Sequence, residues 1–197
     1  MRAPVIDVHT HMLNNAWVKL LEKHGGKYTL KAVTGGLRAI HLDGAPFMTP
    51  IPEMFDWELR IRNMDRVGID VSVVSLTCPN VFWGNEHISC MAAAESNDTM
   101  AEAQASYPDR IRWFASLPWE YPARAIEELD RACRNGAVGV MVLANVQGKS
   151  LSDPFFAPIW KAIDDRALPV LVHPTDPPGA ELMDMTKFDL SWSVGFM

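Results

Sequence analysis

The chain has few cysteines, no excess of positive charge and no long apolar run. Its three cysteines lie far apart and form no CxxC pair, which excludes a disulfide framework and indicates small buried thiols in a reducing compartment. Eighteen basic residues against 24 acidic ones give a net charge of −6, so no basic surface is available for nucleic acid or an anionic membrane. No apolar run approaches the roughly 20 residues of a membrane-spanning helix, and the N-terminus turns polar too soon for a signal peptide. We therefore expect a cytoplasmic protein with neither nucleic-acid nor membrane partners.

Several common catalytic motifs are also missing from the sequence. No GxGxxG or phosphate-loop spacing occurs, and no serine or cysteine lies in a GxSxG context. The usual signals of nucleotide binding and of a hydrolase nucleophile are therefore absent. What the chain does have is 197 residues, of which 48% are hydrophobic. That length and composition suit one domain with a sizeable core.

The apolar residues alternate along the chain between strand-like and helix-like spacing. Short continuous apolar runs rich in β-branched residues predict five strands, at residues 5–8, 71–76, 111–117, 137–142 and 168–172. Apolar stripes at helical spacing predict helices between them, at residues 57–67, about 86–106, 125–133 and 155–163. Continuous apolar strands that alternate with helices are typical of a parallel sheet covered on its faces. The predicted fold class is α/β.

A long segment, residues 14–53, separates the first strand from the first clear helix. It contains two glycine pairs and three prolines, and a connection of this length in an α/β domain is usually functional. We expect it to form an insertion that covers the site at the end of the first strand. Trp17, Leu20 and Leu21 predict a small helix within it, and a hairpin is expected to follow.

The sharpest chemical signal is the run Asp7-Val8-His9-Thr10-His11 at the end of the first strand. Side chains two residues apart on a strand point to the same face, so His9 and His11 project together. Two neutral imidazoles at that spacing form a bidentate site for Zn²⁺ or a similar ion. His173 ends the fifth strand on the same rim, where α/β barrels assemble their sites. A lone strand-end histidine is more often structural, but with the pair beside it the three predict a metal centre with open coordination positions.

Other polar and aromatic residues carry weaker signals. Surface or solvated positions are expected for His24, His41, His87, Arg60 and Arg62. Asp176, which precedes two prolines, is expected in a turn or at a helix N-cap. Trp83, just past the second strand, suits either the wall of a pocket or the core.

Together these residues resemble the amidohydrolase superfamily, in particular its branch related to 2-amino-3-carboxymuconate-6-semialdehyde decarboxylase. The resemblance is carried in the family's order by residues 7–11, 57–68, 107–110, 116–118 and 172–174. It implies a (β/α)₈ TIM barrel that binds one divalent metal ion, most often Zn²⁺, through His9, His11 and His173. It also implies a small-molecule carboxylic acid as substrate and, by analogy alone, a homodimer.

The activity implied by the resemblance is non-oxidative decarboxylation of an unsaturated or aromatic carboxylic acid. The reactive group in the family is a metal-bound water, whose pKa the ion lowers towards about 7. A metal-dependent hydrolase of an amide, lactone or ring bond on the same scaffold remains the alternative, because the metal site alone does not separate the two reactions. The family's acid–base histidine and metal-binding aspartate are expected beyond Met197.

The chain departs from the family pattern at two pocket positions. Met48 stands where the named decarboxylase has an arginine that grips a substrate carboxylate, and Thr175 stands where it has a tryptophan. Loss of a bidentate carboxylate clamp changes what can be bound. Met48, Thr175 and Trp83 are accordingly predicted to line the substrate pocket.

The larger departure is that the chain supplies five of the eight expected βα units. Residues 1–197 are therefore expected to be the N-terminal part of a single barrel domain, with Ser191–Met197 leading into the fifth main helix. An open five-stranded sheet should leave its edge strands unpaired and one face of its core exposed. The alternatives are completion of the barrel by another chain, or a non-catalytic fragment that lacks strands 6–8.

Overall fold

The computed structural model describes residues 2–33, 35–179 and 182. Ten strands are present in this part of the chain, and five of them form a parallel sheet in the order β1-β5-β6-β7-β10. The strands are β1 (Ile6–His11), β2 (Tyr28–Ala32), β3 (Arg38–Leu42), β4 (Ala45–Met48), β5 (Val71–Ser75), β6 (Ile111–Ser116), β7 (Gly139–Leu143), β8 (Asn145–Val146), β9 (Lys149–Ser150) and β10 (Val170–His173). All five predicted strands are confirmed. The fold is a curled parallel half-sheet, as expected for part of a TIM barrel.

Helices connect the parallel strands and cover the sheet. They are α1 (Asn15–His24), α2 (Trp57–Val67), α3 (Glu86–Ser106), α4 (Pro122–Arg134) and α5 (Ala157–Asp164). Residues with known capping preferences stand at both ends of α2. The Asp56 carboxylate accepts a hydrogen bond from the Leu59 backbone N–H at its start, and the helix ends at Gly68, whose φ is 77°. The four helices predicted from apolar stripes are confirmed. The expected approach to a fifth main helix, Ser191–Met197, lies outside the described residues.

The insertion between β1 and α2 contains the predicted small helix, α1, and an antiparallel sheet in the order β2-β3-β4. The predicted hairpin has two strands, so the insertion contains one strand more than predicted. The turn from β3 to β4 uses Asp43 and Gly44, with φ of 48° and 87°, which is typical of a two-residue hairpin loop. Trp17 anchors α1 to the main body, because it is fully buried and its indole Nε1 donates to the Asn80 carbonyl at 2.9 Å.

The core lies between the parallel sheet and its helices, and the two edge strands are exposed. Trp113 on β6 and Trp119 just after it are 0% exposed. On the edge strands, by contrast, Ile6 and Val8 of β1 and Val172 of β10 are about half exposed. The predicted exposure of an open five-stranded sheet is confirmed for these residues.

Some expectations for individual residues need correction. His41 was expected at the surface but is 8% exposed, because β3 packs on both of its faces and Ala39, Ile40 and His41 are all buried. The cysteines are free, as expected, but only Cys78 is buried while the other two are half-buried. Of the described helices, none combines the length and the apolar character that crossing a membrane requires.

Candidate metal centre

The curl of the parallel sheet brings its two edges together at their carboxyl ends. Four strand spacings separate β1 from β10, which would be about 19 Å in a flat sheet. Yet His11 Nε2 of β1 and His173 Nε2 of β10 are 3.1 Å apart. The histidines therefore project from opposite edges into the concave side of the sheet.

His9, His11 and His173 form a compact cluster whose ligand atoms all lie within 4.8 Å of one another. The ring centroids are 4.8 to 5.1 Å apart, and the rings meet edge to face. Two nitrogen ligands of one tetrahedral Zn²⁺ would lie about 3.3 Å apart, close to the separation of His11 and His173. The three side chains can therefore hold a divalent metal ion.

Hydrogen bonds to the Nδ1 atoms leave the Nε2 atoms of two histidines for the metal. The Nδ1 of His173 lies 2.6 Å from the Pro174 carbonyl, so this nitrogen carries the proton and donates it. The Nδ1 of His11 lies 3.3 Å from the hydroxyl of Ser75, which is the register partner of His11 on β5. Contacts of this kind fix ring orientation and ligand tautomer in metal sites.

Burial keeps the two inner histidines in the neutral form that binds metals. Burial, together with the charges of His173 and His9, lowers the pKa of His11 to about 3. Burial is also the largest cause that lowers the pKa of His173. Near neutral pH both rings therefore present a lone pair, which a cation can accept.

Arg60 of α2 holds the end of β1, and its expected solvated position is wrong. Its guanidinium donates from Nη1 to the Thr10 hydroxyl at 2.7 Å and from Nη2 to the His11 carbonyl at 3.0 Å. Burial lowers the pKa of Arg60, and the nearby charge of Asp7 opposes that shift. Arg62, in contrast, is exposed and pairs with Glu58, as expected.

A sequence signal for Arg60 existed in the helical pattern. Trp57, Ile61 and Met64 form the inward stripe of α2, and position 60 lies on the same face at i+3 from position 57. Ser75 had no comparable signal, because its contact with His11 depends on the pairing of β1 with β5 rather than on sequence spacing.

The predicted pocket residues occupy different environments. Thr175 lines a cavity of about 260 Å³ beside β10, as does Asp176, which was expected in a turn. Met48 is half-buried at the end of β4 and packs against the core. Trp83 is 3% exposed, and its indole Nε1 donates to the Asn80 carbonyl at 2.9 Å.

Comparison of the sequence with models of protein families shows the family to which the chain belongs. The sequence model of the family described as Amidohydrolase matches residues 6–192, and the chain belongs to this family. The 2-amino-3-carboxymuconate-6-semialdehyde decarboxylase of Dictyostelium discoideum is 31% identical over 98% of this chain and 55% of its own length. The gamma-resorcylate decarboxylase of Rhodococcus jostii is 34% identical over 61% of this chain and 40% of its own length. The chain thus spans about half the length of the curated relatives it matches.

Solved structures share the same fold. The crystal structure of an amidohydrolase II is 28% identical with a TM-score of 0.78, covering 98% of this chain and 57% of its own. The 5-carboxyvanillate decarboxylase of Novosphingobium aromaticivorans, solved with manganese and 4-hydroxy-3-methoxy-5-nitrobenzoic acid, has a TM-score of 0.78 at 22% identity. It covers 98% of this chain and 56% of its own. The predicted partial barrel is therefore confirmed as an amidohydrolase fold.

Proposed function

We propose that the protein containing this chain is a metal-dependent decarboxylase that acts without oxidation on an unsaturated or aromatic carboxylic acid. The observation that carries the proposal is the convergence of His9, His11 and His173 at the carboxyl ends of β1 and β10. The relatives named above, which are decarboxylases, support the reaction. The manganese in the 5-carboxyvanillate enzyme supports a divalent ion.

We assign the ion as Zn²⁺ and the ligands as the three histidines. A donor set of neutral imidazole nitrogens suits Zn²⁺ better than Mn²⁺, which prefers oxygen ligands. When bound, the ion supplies a Lewis acid that polarises the oxygen atoms of its other ligands. The Pro174 carbonyl and the Ser75 hydroxyl hold the rings of His173 and His11 in register for that task.

The three proposed ligands differ in burial. His173 is buried and His11 is half-buried, whereas His9 is exposed. His9 lies on β1, an edge strand of the described parallel sheet whose Ile6 and Val8 are also exposed, so its exposure belongs to that open edge. Decarboxylation breaks the bond between the carboxylate and its ring or alkene carbon, and that carbon takes up a proton in exchange.

The remaining sequence predictions become part of the same proposal. We place the insertion over the site, with Thr175 in the wall of the substrate cavity, and we retain Met48 and Trp83 as predicted pocket residues. A cytoplasmic location and a homodimer complete the proposal. The free thiols support the first, and analogy with the family supports the second. Sedimentation of the full-length protein tests the dimer.

The direct test is metal content and product analysis on the full-length protein loaded with Zn²⁺. We expect about one equivalent of ion and release of CO₂ from an aromatic acid such as 2,6-dihydroxybenzoate. His9→Ala should lose both, while the control His87→Ala, which removes an exposed histidine at the start of α3, should lose neither. Full activity of His9→Ala would contradict the metal site. Formation of a hydrolysis product without release of CO₂ would contradict the decarboxylase and favour the hydrolase alternative.

A further inference from the structure

Two consecutive residues at the junction of β7 and β8 hold the segment that follows β10. The backbone N–H of Ala144 donates to the His173 carbonyl at 2.8 Å. The side-chain Nδ2 of Asn145 donates to the Asp176 carbonyl at 2.9 Å. The segment from His173 to Asp176 is therefore held at both of its ends by hydrogen bonds from the same junction.

This segment contains the group that orients the His173 ring. The Nδ1 of His173 donates to the Pro174 carbonyl at 2.6 Å, and the opposite ring nitrogen, Nε2, lies 3.1 Å from His11 Nε2. Proline has no backbone N–H through which it could itself be held. The position of the Pro174 carbonyl, and with it the direction of Nε2, therefore depends on how the two ends of the segment are held.

Strand pairing does not reach the far end of the segment. In the part of the chain that the structure describes, β10 is an edge strand that pairs only with β7. The last paired residues of the two strands are His173 and Leu143. The Asn145 side chain thus provides a hydrogen bond to this segment at a point where the pairing of the strands has ended.

The Asn145 amide is itself fixed in orientation by the β8–β9 hairpin. Its Oδ1 accepts a hydrogen bond from the Gly148 backbone N–H at 2.9 Å. Gln147 and Gly148 form the turn, with φ of 51° and 76°, as in the two-residue turns that match the twist of a hairpin. Because the amide oxygen faces Gly148, the amide nitrogen is left to face the Asp176 carbonyl.

A second amide on the same hairpin makes a similar bond to a different segment. The Nε2 of Gln147 donates to the carbonyl of Phe82, in the loop that follows β5. That loop contains none of the three clustered histidines. Of these two amides, Asn145 is therefore the one that reaches a segment next to a proposed metal ligand.

We propose that Asn145 is a positioning residue of the metal centre. Its amide holds the Asp176 carbonyl and thereby fixes the segment whose Pro174 carbonyl orients His173. Asn145 acts through His173 and not on the ion itself. The proposal rests on the proposed function, because it takes His173 as a ligand of the ion.

The test removes the amide donor and keeps the amide oxygen. Asn145→Asp retains an acceptor for the Gly148 N–H but offers no donor to the Asp176 carbonyl. In chelator competition on the full-length protein, we expect Zn²⁺ affinity to fall by about threefold to tenfold, less than the loss of a direct partner of a ligand causes. The visible absorption bands of the Co²⁺-substituted protein, which report ligand geometry, should shift. Asn145→Ala lacks the same donor and should show the same changes.

Gln147→Glu is the matched control. It also removes a donor and adds a negative charge on the hairpin, but it leaves the His173 segment untouched, so affinity and spectrum should not change. Unchanged affinity and spectrum in both Asn145 variants would overturn the proposal. An equal loss in Gln147→Glu, or a loss in Asn145→Ala without one in Asn145→Asp, would overturn it as well. If Asn145→Asp fails to fold, Asn145→Ala is compared with Gln147→Ala in the same way.

The same measurements separate this proposal from the decarboxylase assignment. Suppose that His173→Ala loses Zn²⁺ and Asn145→Asp binds it more weakly, while the unaltered protein releases no CO₂ from any aromatic acid tested. The positioning role would then stand and the decarboxylase would be contradicted. Release of CO₂ by the unaltered protein, with unchanged Zn²⁺ affinity in both Asn145 variants, would support the decarboxylase and overturn the positioning role.

Discussion

The parallel sheet and the inserted sheet meet at the same cavity but are built under different constraints. In the parallel sheet, all five residues of β7 are buried, so the packing of neighbours fixes the size of each side chain. In the inserted sheet, no residue of β2 is fully buried. Side chains on β2 can therefore change with little cost to the core, whereas three of the five residues of β3 are buried. Under the proposed function, we therefore expect metal binding to depend on the parallel sheet and substrate selection on the less buried parts of the inserted sheet.

The backbone register of the parallel sheet fixes the positions of the histidines that could hold a metal ion. Ser75 is opposite His11 on the ladder, and Leu143 is opposite His173. His11 and Ser75, whose side chains are in contact, are thus positioned by the same strand pairing. Lys27 and Leu42, which line the cavity from the inserted segment, depend on no such pairing with the three histidines.

The largest expected effect is the loss of a ligand from the parallel sheet. His173→Ala removes the most buried of the three histidines, and we expect turnover to fall by at least about 100-fold with loss of the bound ion. Metal analysis after dialysis, together with CO₂ release, measures both. His24→Ala, at the end of α1 in the insertion, is the matched control and should retain metal. Equal metal loss in the two variants would break the comparison between the regions.

Substitution of Gly139 in the parallel sheet and of Gly44 in the turn between β3 and β4 compares the packing at two positions. A Cβ at Gly139 would lie 2.6 Å from the Pro169 carbonyl oxygen and 2.8 Å from the Phe114 ring, so Gly139→Ala should destabilise by about 2 to 3 kcal/mol. A Cβ at Gly44 meets no atom within 4 Å, although φ is 87°. Gly44→Ala should therefore cost only about 1 kcal/mol of backbone strain. Urea unfolding measures both, and equal losses would remove the inferred difference in packing.

A smaller effect is expected at Arg60, which supports the metal ligands without contacting the ion. Arg60→Met removes both hydrogen bonds to the end of β1, and we expect metal affinity to fall by about tenfold, or about 1.4 kcal/mol. Arg60→Lys, which keeps the charge and part of the bonding, should recover some of this loss. Competition with a chelator measures the affinity. Arg62→Met, at an exposed position on the same helix, should change nothing, and a loss there equal to that of Arg60→Met would contradict the role of Arg60.

The parallel sheet and the three histidines at its carboxyl ends could be predicted from the sequence because both follow local patterns. Apolar runs mark the strands, the period of two places His9 and His11 on one face, and His173 ends a strand. The supporting residues depend on tertiary pairing instead. Ser75 meets His11 only because β1 lies beside β5, and no spacing in the sequence contains that information.

The inserted sheet was harder to predict because its signals conflict. Pro46 lies within β4, and proline usually argues against a strand. Proline is tolerated here because β4 is an edge strand of the three-stranded sheet. On an edge strand, an N–H that points away from the sheet makes no hydrogen bond to a neighbouring strand, so its absence costs none. The burial of His41 likewise depends on packing against both faces of β3. The alternation of apolar and polar residues along the strand does not reveal that packing.

The smallest expected effect is a change in the insertion that leaves the metal centre intact. Met48→Arg adds a guanidinium at the half-buried end of β4, and a guanidinium favours carboxylates. We expect the ratio of 2,6-dihydroxybenzoate to 2-hydroxyisophthalate binding to move severalfold towards the dicarboxylate, with unchanged Zn²⁺ content. Met48→Leu, which adds no charge, is the control and should keep the original ratio. Loss of metal in Met48→Arg but not in Met48→Leu would mean that the inserted sheet also positions the histidines, and the separation of the two regions would fail.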